Sequence, residues 1–239
     1  MKKIYHPASS RGYVDHGWLK SAHTFSFADY YNRARMHFGV LRVINDDFIE
    51  GGSGFGTHPH NDMEIVTLPL EGVLKHQDSM GNSGVIREGD IQVMSAGTGI
   101  THSELNASDT TPVKFLQIWV FPREKGITPR YDQMHIADSA KPNDFQLIIS
   151  PYEDEEGLWI HQDAWFHLAC FDKGVSKEYY LKKEGNSIYI FVIYGKARIG
   201  EQILNERDGY GIWDTDHFSL EALEPSEILL MEVPVELPQ

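Results

Sequence analysis

The chain has 239 residues, 41% of them hydrophobic, with 12 histidines, a single cysteine and a formal net charge of −14. That apolar share excludes a disordered chain, and the length suffices for one large β domain or two small ones. The lone Cys170 excludes an internal disulfide framework, and no run of about 18 apolar residues offers a membrane span.

The charge is unevenly spread. Residues 1–132 hold 13 basic and 15 acidic residues, whereas residues 133–239 hold 8 and 20. Phosphate binding needs clustered Lys and Arg, so direct nucleic-acid contact and anionic membranes are excluded as partners. The start, Met1-Lys2-Lys3, runs into Pro7, Ser9, Ser10 and Arg11 in place of an apolar stretch. No secretory signal is read there, and a cytoplasmic monomer is the expectation.

Along the chain, short apolar segments recur at 37–44, 63–70, 73–76, 91–94, 113–120, 146–149, 187–193, 197–199, 211–213 and 228–233. Turn signals separate them: Glu71-Gly72, Gly81-Asn82, Glu88-Gly89-Asp90, Gly185-Asn186 and Asp208-Gly209. Many short strands with turns between them predict an all-β sandwich or barrel. Phe25-Ser26-Phe27 alternates and reads as a strand; Pro69 marks a bulge or an edge position. One short helix is expected after Pro151 or over 139–143. The segment 122–143, rich in Pro, Lys, Arg and Asp, reads as a linker, and Glu153-Asp154-Glu155-Glu156 as a solvated loop.

An internal echo suggests a duplicated barrel. The segments 70–74 and 88–94 resemble 193–197 and 207–213 in their order of strand, Gly turn and strand. The expected domains are therefore 1–132 and 133–239.

Chemistry concentrates in the first half. Successive side chains of a strand point to opposite faces, so residues i and i+2 share one. His58-Pro59-His60 and His102-Ser103-Glu104 thus each present two metal-competent side chains on one side of a strand. If the two strands are neighbours, three imidazoles and a carboxylate converge on one ion and leave coordination positions open. The second half has neither string at the matching places. Pro59 biases His58 to extended geometry. Gly97 and Gly99 allow a sharp turn before His102, with no helix pattern after it to suggest nucleotide binding. The ligand set suits Fe, Cu, Ni, Mn, Co or Zn; redox work with dioxygen favours Fe(II), because Zn has no redox chemistry.

Glu64 shares the parity of His58 and His60, so the geometry allows it as a further ligand, but it reads as a carboxylate behind the ligands or in the barrel wall. Phe55 is placed at the pocket mouth or in the core, and Cys170, between Ala169 and Phe171, as a small buried hydrophobe. The other nine histidines read as structural or exposed, with His23 and His76 the two of most interest.

The glycine frame around these strings (Gly52, Gly72, Gly89, Gly97) resembles the paired motifs of cupins, with departures. The Glu64-to-Gly72 separation is one residue longer than usual, Ser95 stands where cupins usually have Pro, and His102 lies further past Gly97. The fuller text is more specific. It comprises 23–31 (HTFSFADYY), 54–60 (GFGTHPH), Asp62-Met63-Glu64, His76-Gln77-Asp78-Ser79 and 94–104 (MSAGTGITHSE). It resembles the pirin family over nearly the whole chain, most strongly in residues 11–132.

That resemblance implies a bicupin: two tandem double-stranded β-helix barrels, with metal in the N-terminal one only. It assigns the ligands to His58, His60, His102 and Glu104. It also implies a quercetinase, which opens a flavonol ring with dioxygen, with Glu104 as the base and Phe55 and His23 as substrate contacts. Ion and carboxylate together carry +1 and a flavonolate −1, a neutral pair that suits a dry pocket. The alternatives are a metal- or redox-responsive regulator acting through a protein partner, as for some pirins, and a cupin enzyme for another small oxygenated substrate.

Overall fold

The computed structural model describes residues 1–238. The first half of the chain forms β1 (Lys2–His6), β2 (Gly12–Asp15), β3 (Leu19–His23), β4 (Leu41–Ile49), β5 (Gly54–His60), β6 (Glu64–Glu71), β7 (Val73–Asp78), β8 (Ser83–Arg87), β9 (Asp90–Ser95), β10 (Ile100–Asn106), β11 (Val113–Val120) and β12 (Arg130–His135). The second half forms β13 (Phe145–Ser150), β14 (Leu158–Trp159), β15 (Trp165–Phe171), β16 (Ser176–Tyr180), β17 (Asn186–Tyr194), β18 (Lys196–Ile199), β19 (Gln202–Asn205), β20 (Gly209–Trp213), β21 (His217–Ala222) and β22 (Ser226–Pro234). The all-β expectation holds. Among the described residues no helix is long and apolar enough to cross a membrane.

Each half pairs a seven-stranded sheet with a four-stranded one. In the first half the orders are β12-β9-β6-β11-β4-β3-β2 and β5-β10-β7-β8. In the second they are β1-β20-β17-β22-β15-β13-β14 and β16-β21-β18-β19. The chain's first strand therefore belongs to the far half: Lys2–His6 runs antiparallel to β20, from Lys2 opposite Trp213 to His6 opposite Gly209. Asp208 fastens it there, accepting Tyr5 Oη–H at 2.8 Å and the Ala8 amide at 2.7 Å.

The two large sheets pack face to face. Along β11, Leu116, Ile118 and Val120 enter the apolar cluster shared by both halves, while Phe115, Gln117 and Trp119 face the first barrel's interior. In β17, Tyr189, Phe191 and Ile193 join the same seam, while Ile188, Ile190 and Val192 fill the second barrel. Strands buried on both faces read as continuous apolar runs, which is why 113–120 and 187–193 are legible without alternation.

The interiors differ. The second barrel is filled by one large apolar cluster that includes Phe171, Tyr179, Phe218, Leu220 and Leu230. The first holds two small ones, Leu19, Ile49, Leu74, Ile86, Val113 and Phe115, and Ile65, Met94, Ala96 and Ile100. Room remains there for a cavity.

Several expectations need correction. Phe25–Phe27 is not a strand; only an isolated bridge joins Phe27 to Tyr30, because Phe25 turns into the inter-sheet seam. The helix expected near 139–143 is a 3₁₀ turn at Ile136–Ser139, and the expected linker contains β12, paired along its length with β9. Pro69 sits at a register shift between β6 and β11, so it marks a bulge and not an edge. Cys170 is exposed: its neighbours Ala169 and Phe171 fill the second barrel, but Cys170 points the other way, at the rim of the seam.

Gly97, with φ +46°, turns the chain between β9 and β10, and a Cβ there would meet the Ile127 carbonyl oxygen. Gly99 has φ +134° with open space around it. Gly97→Ala is expected to cost about 3 kcal/mol or more, and Gly99→Ala about 1–2 kcal/mol, as read by denaturant or thermal unfolding. Equal costs would show that backbone conformation alone, and not the close approach, governs this turn.

Candidate metal centre

Strand pairing brings the two histidine strings together. β10 lies between β5 and β7, with His102 opposite His58 on one side and opposite Asp78 on the other. β10 alternates: Ile100, His102, Glu104 and Asn106 are buried, and Thr101 and Leu105 exposed. The register with β5 slips between His102 and Glu104, so that Glu104 faces Phe55. Such a bulge adds a residue to one strand and reverses its parity. Phe55, an odd position, thereby turns to the same side as His58 and His60.

The three imidazoles form a compact triad. Their centroids lie 4.8 Å (His58–His60), 4.5 Å (His58–His102) and 4.9 Å (His60–His102) apart. One donor atom from each lies within 4.8 Å of the others. His58 Nδ1–H donates to the Gly56 carbonyl at 2.8 Å, which leaves its Nε2 lone pair free. Both ring nitrogens of His102 are buried without a partner. Burial, reinforced by His58, holds His60 down at about 4. Burial and the neighbouring imidazoles hold His102 down at about 2. The His60 and His102 rings are therefore neutral at pH 7, the state a metal requires of an imidazole ligand. Orphaned nitrogens and the convergence of the three rings fit a divalent metal ion, which the triad could hold.

Glu104 stands outside that close group. It is buried beside it, its Oε1 accepting Thr67 Oγ1–H at 3.2 Å and its Oε2 accepting Gln117 Nε2–H at 2.7 Å. Burial pushes its carboxyl above the ordinary range, while the Gln117 bond, the His58 ring and the Thr67 bond pull it back.

A cavity of about 250 Å³ opens in front of this cluster. His58, His60, Glu104, His23 and Phe55 all line it, as do Trp119, Phe27, Leu19, Asn45, Asp47 and Gln117. Trp119 meets His60 edge-to-face at 4.9 Å, and Phe27 meets Trp119 at 5.3 Å. The mixture of apolar walls with a few converging polar groups is that of a small-molecule site.

Glu64 is elsewhere. It shares the parity of Val66 and Leu68, which enter the inter-sheet seam, so it faces away from the triad. Ser95 Oγ donates to its Oε2 at 2.7 Å, and His161 Nδ1, from the second half, lies 3.4 Å from its Oε1. The parity argument from the sequence fails because Glu64 and the histidines lie on different strands. His76 is fully buried behind the triad, its ring 5.3 Å from His102 and stacked on Tyr131 at 4.6 Å.

Sequence reading missed the polar wall of Asn45, Asp47, Thr67 and Gln117. Its signal was present: polar residues inside apolar strands, Asn45 and Asp47 at alternate positions in 41–49 (LRVINDDFI) and the single Gln117 within the apolar run 115–120 (FLQIWV). Each is at most 7% exposed.

A double barrel with an imidazole triad in one half and an apolar filling in the other defines a metal-binding bicupin. The pirin family model matches residues 5–120, and a model described as the quercetinase C-terminal cupin domain matches 147–233. A protein of Escherichia coli (strain K12) named quercetin 2,3-dioxygenase is 46% identical over 227 residues, covering 95% of this chain and 96% of the relative. The crystal structure of the bacterial pirin YhhW in complex with nickel(II), from Escherichia coli, superposes with a TM-score of 0.92 at 43% identity, covering 98% and 99%. That of the Escherichia coli protein YhaK gives 0.76 at 28% identity, covering 94% and 98%. The chain belongs to the pirin family.

Replacing His60 or His102 by Ala should lower bound metal from about one ion per chain to near none, as read by elemental analysis after dialysis. Circular dichroism should stay unchanged, since the barrel cores do not include these rings.

Proposed function

We propose that this protein is a metal-dependent dioxygenase that opens flavonols such as quercetin with dioxygen. The observation that carries the reading is the convergent His58–His60–His102 triad beside a buried carboxylate, Glu104, with His58, His60 and Glu104 lining one small, partly aromatic cavity. The activity named for the Escherichia coli relative supports it. We further propose that the ion is Fe(II) in the native protein, with nickel the other candidate favoured by the YhhW complex. The chain divides, in this reading, into two barrels near residue 132, with β1 exchanged into the second.

His58, His60 and His102 would hold the ion, with Glu104 as the fourth ligand or as a free base. When bound, the ion supplies a Lewis acid and a route for electrons to dioxygen. The remaining work falls to the chain. Glu104 accepts the proton of the flavonol 3-hydroxyl and returns it to the opened product, and the third ring carbon departs as carbon monoxide. Gln117 and Thr67 fix both carboxylate oxygens, so the base does not have to be ordered during the reaction. Trp119, Phe27 and Phe55 offer aromatic surfaces to a flat polyphenol, and His23 offers a polar contact on the opposite wall.

Oxygen uptake with quercetin, measured on protein loaded with one metal at a time, should be fastest with Fe(II) or Ni(II) and absent with Zn(II). Glu104→Gln should lower kcat by about 100-fold or more. Unchanged uptake in that variant would remove Glu104 from the base role.

Gln117→Leu removes one of the two bonds that hold Glu104. It is expected to lower kcat about 10-fold and to leave the metal content within twofold of the native protein, as read by oxygen uptake and elemental analysis.

A further inference from the structure

We propose that the open end of the seam between the two barrels is a second ligand site, separate from the metal cavity, and that it takes a small organic ammonium ion: a primary amine with a short apolar tail. This does not rest on the flavonol reading.

A cavity of about 450 Å³ opens there. Small-molecule sites of that size favour the interface between domains, where apolar walls carry a few polar groups. The floor is apolar, with Leu68 and Leu70 from β6, Leu168 from β15 and Ile193 from β17. Beside it three residues stand abreast on neighbouring strands: Cys170 on β15 and Tyr194 on β17 are each opposite Glu227 on β22. All three line the cavity. Cys170 and Tyr194 are exposed and Glu227 is half-buried, so an entering molecule can reach them.

The polar groups left free here are acceptors. Among the described residues Glu227 has no hydrogen-bond partner. The two basic residues of the lining are committed elsewhere. Arg207 pairs through Nε with Asp46 at 3.0 Å and donates from Nη1 to the Ile193 carbonyl, and Lys114 pairs with Glu71 at 2.5 Å. Burial raises the Glu227 carboxyl above its ordinary range; Arg207 pulls it back, and Glu88, across the seam, adds to the rise. A desolvated carboxylate without a partner is costly, and an entering cation removes that cost.

Gln146 points to the same ligand independently. It is 5% exposed and lines the cavity. Its Nε2 donates both protons, to the Ile136 carbonyl at 2.6 Å and to Ser139 Oγ at 2.9 Å, which fixes the amide. Its Oε1 has no partner among the described residues, and unlike the sealed nitrogens of His23 and His76 it keeps open surface. A carboxylate and an amide oxygen over an apolar floor match a head that donates several N–H groups and a tail that donates none. An anion meets no free cation in this lining, and an alcohol leaves the carboxylate without its counter-charge.

The test titrates the metal-loaded full chain with n-hexylamine by calorimetry, with n-hexanol and hexanoate in parallel. One hexylammonium ion should bind per chain, and the alcohol and the carboxylate should bind about tenfold or more weakly. Cys170 is the single cysteine, so its reaction with neutral 4,4′-dithiodipyridine reports on the cavity, and saturating hexylammonium should slow it severalfold. Glu227→Gln should weaken binding about tenfold. Cys170→Phe, which narrows the mouth and keeps the carboxylate, should weaken it too; circular dichroism checks that both variants fold. His60→Ala, which lacks the metal, should bind hexylammonium as the native protein does. The proposal is overturned by absent binding with unchanged thiol reactivity, by hexanol binding as tightly as hexylammonium, or by undiminished affinity in either Glu227→Gln or Cys170→Phe. Affinity lost in His60→Ala overturns it as well, because the amine would then sit on the metal.

Discussion

Leu116, Ile118 and Val120 on one large sheet and Tyr189, Phe191, Leu229 and Met231 on the other bury a single apolar seam. Every long strand behind the metal site has one face committed to it. Because side chains alternate, that commitment decides what the opposite face shows to the barrel interior. Gln117 and Trp119 enter the cavity because Leu116, Ile118 and Val120 leave it. Thr67 supports Glu104 because Val66 and Leu68 are in the seam, and Glu64 is drawn by the same rule to the outer side. A one-residue slip of β11 or β6 would remove the partners of Glu104 from the site.

The seam also explains why the two barrels diverge. Both halves are closed from outside by the same packing, yet only the first leaves its interior partly polar. In the second, Phe171, Phe218 and Leu220 occupy the space that a ligand would need, and its buried polar groups are satisfied internally. Glu232, for example, accepts bonds from the Lys182 and Lys183 amides, Asn186 and Tyr179. In the first, orphaned nitrogens on His23, His76 and His102 remain. Unpaired buried polar atoms are costly and so are rare where no ligand completes them. The His102 and His76 rings meet edge-to-face behind the triad's open side, and His23 lines the cavity in front of it.

The electrostatics follow from burial more than from net charge. The −14 of the chain is carried mainly by the second half and by the surface. Inside the first barrel, desolvation keeps imidazoles neutral and raises the carboxyls of Glu104 and Asp47, the latter to about 7. Low dielectric penalises every charge that lacks a partner, so an entering cation and an anionic ligand stabilise each other there.

The amino-acid order by itself determined the period-two strings, the glycines at their turns and the residues able to bind a metal. His58-Pro59-His60 and His102-Ser103-Glu104 announce a shared strand face because alternation is a local property, needing no knowledge of neighbours. It was silent on the bulge that turns Phe55 inward, on the path that carries Lys2–His6 to the far sheet, and on the side to which Glu64 points. It also misplaced Cys170, whose apolar neighbours face a core that it does not share. Those outcomes depend on which strands pair and which sheet faces meet. Pairing is a contact between residues distant in the chain, and only the tertiary structure decides it.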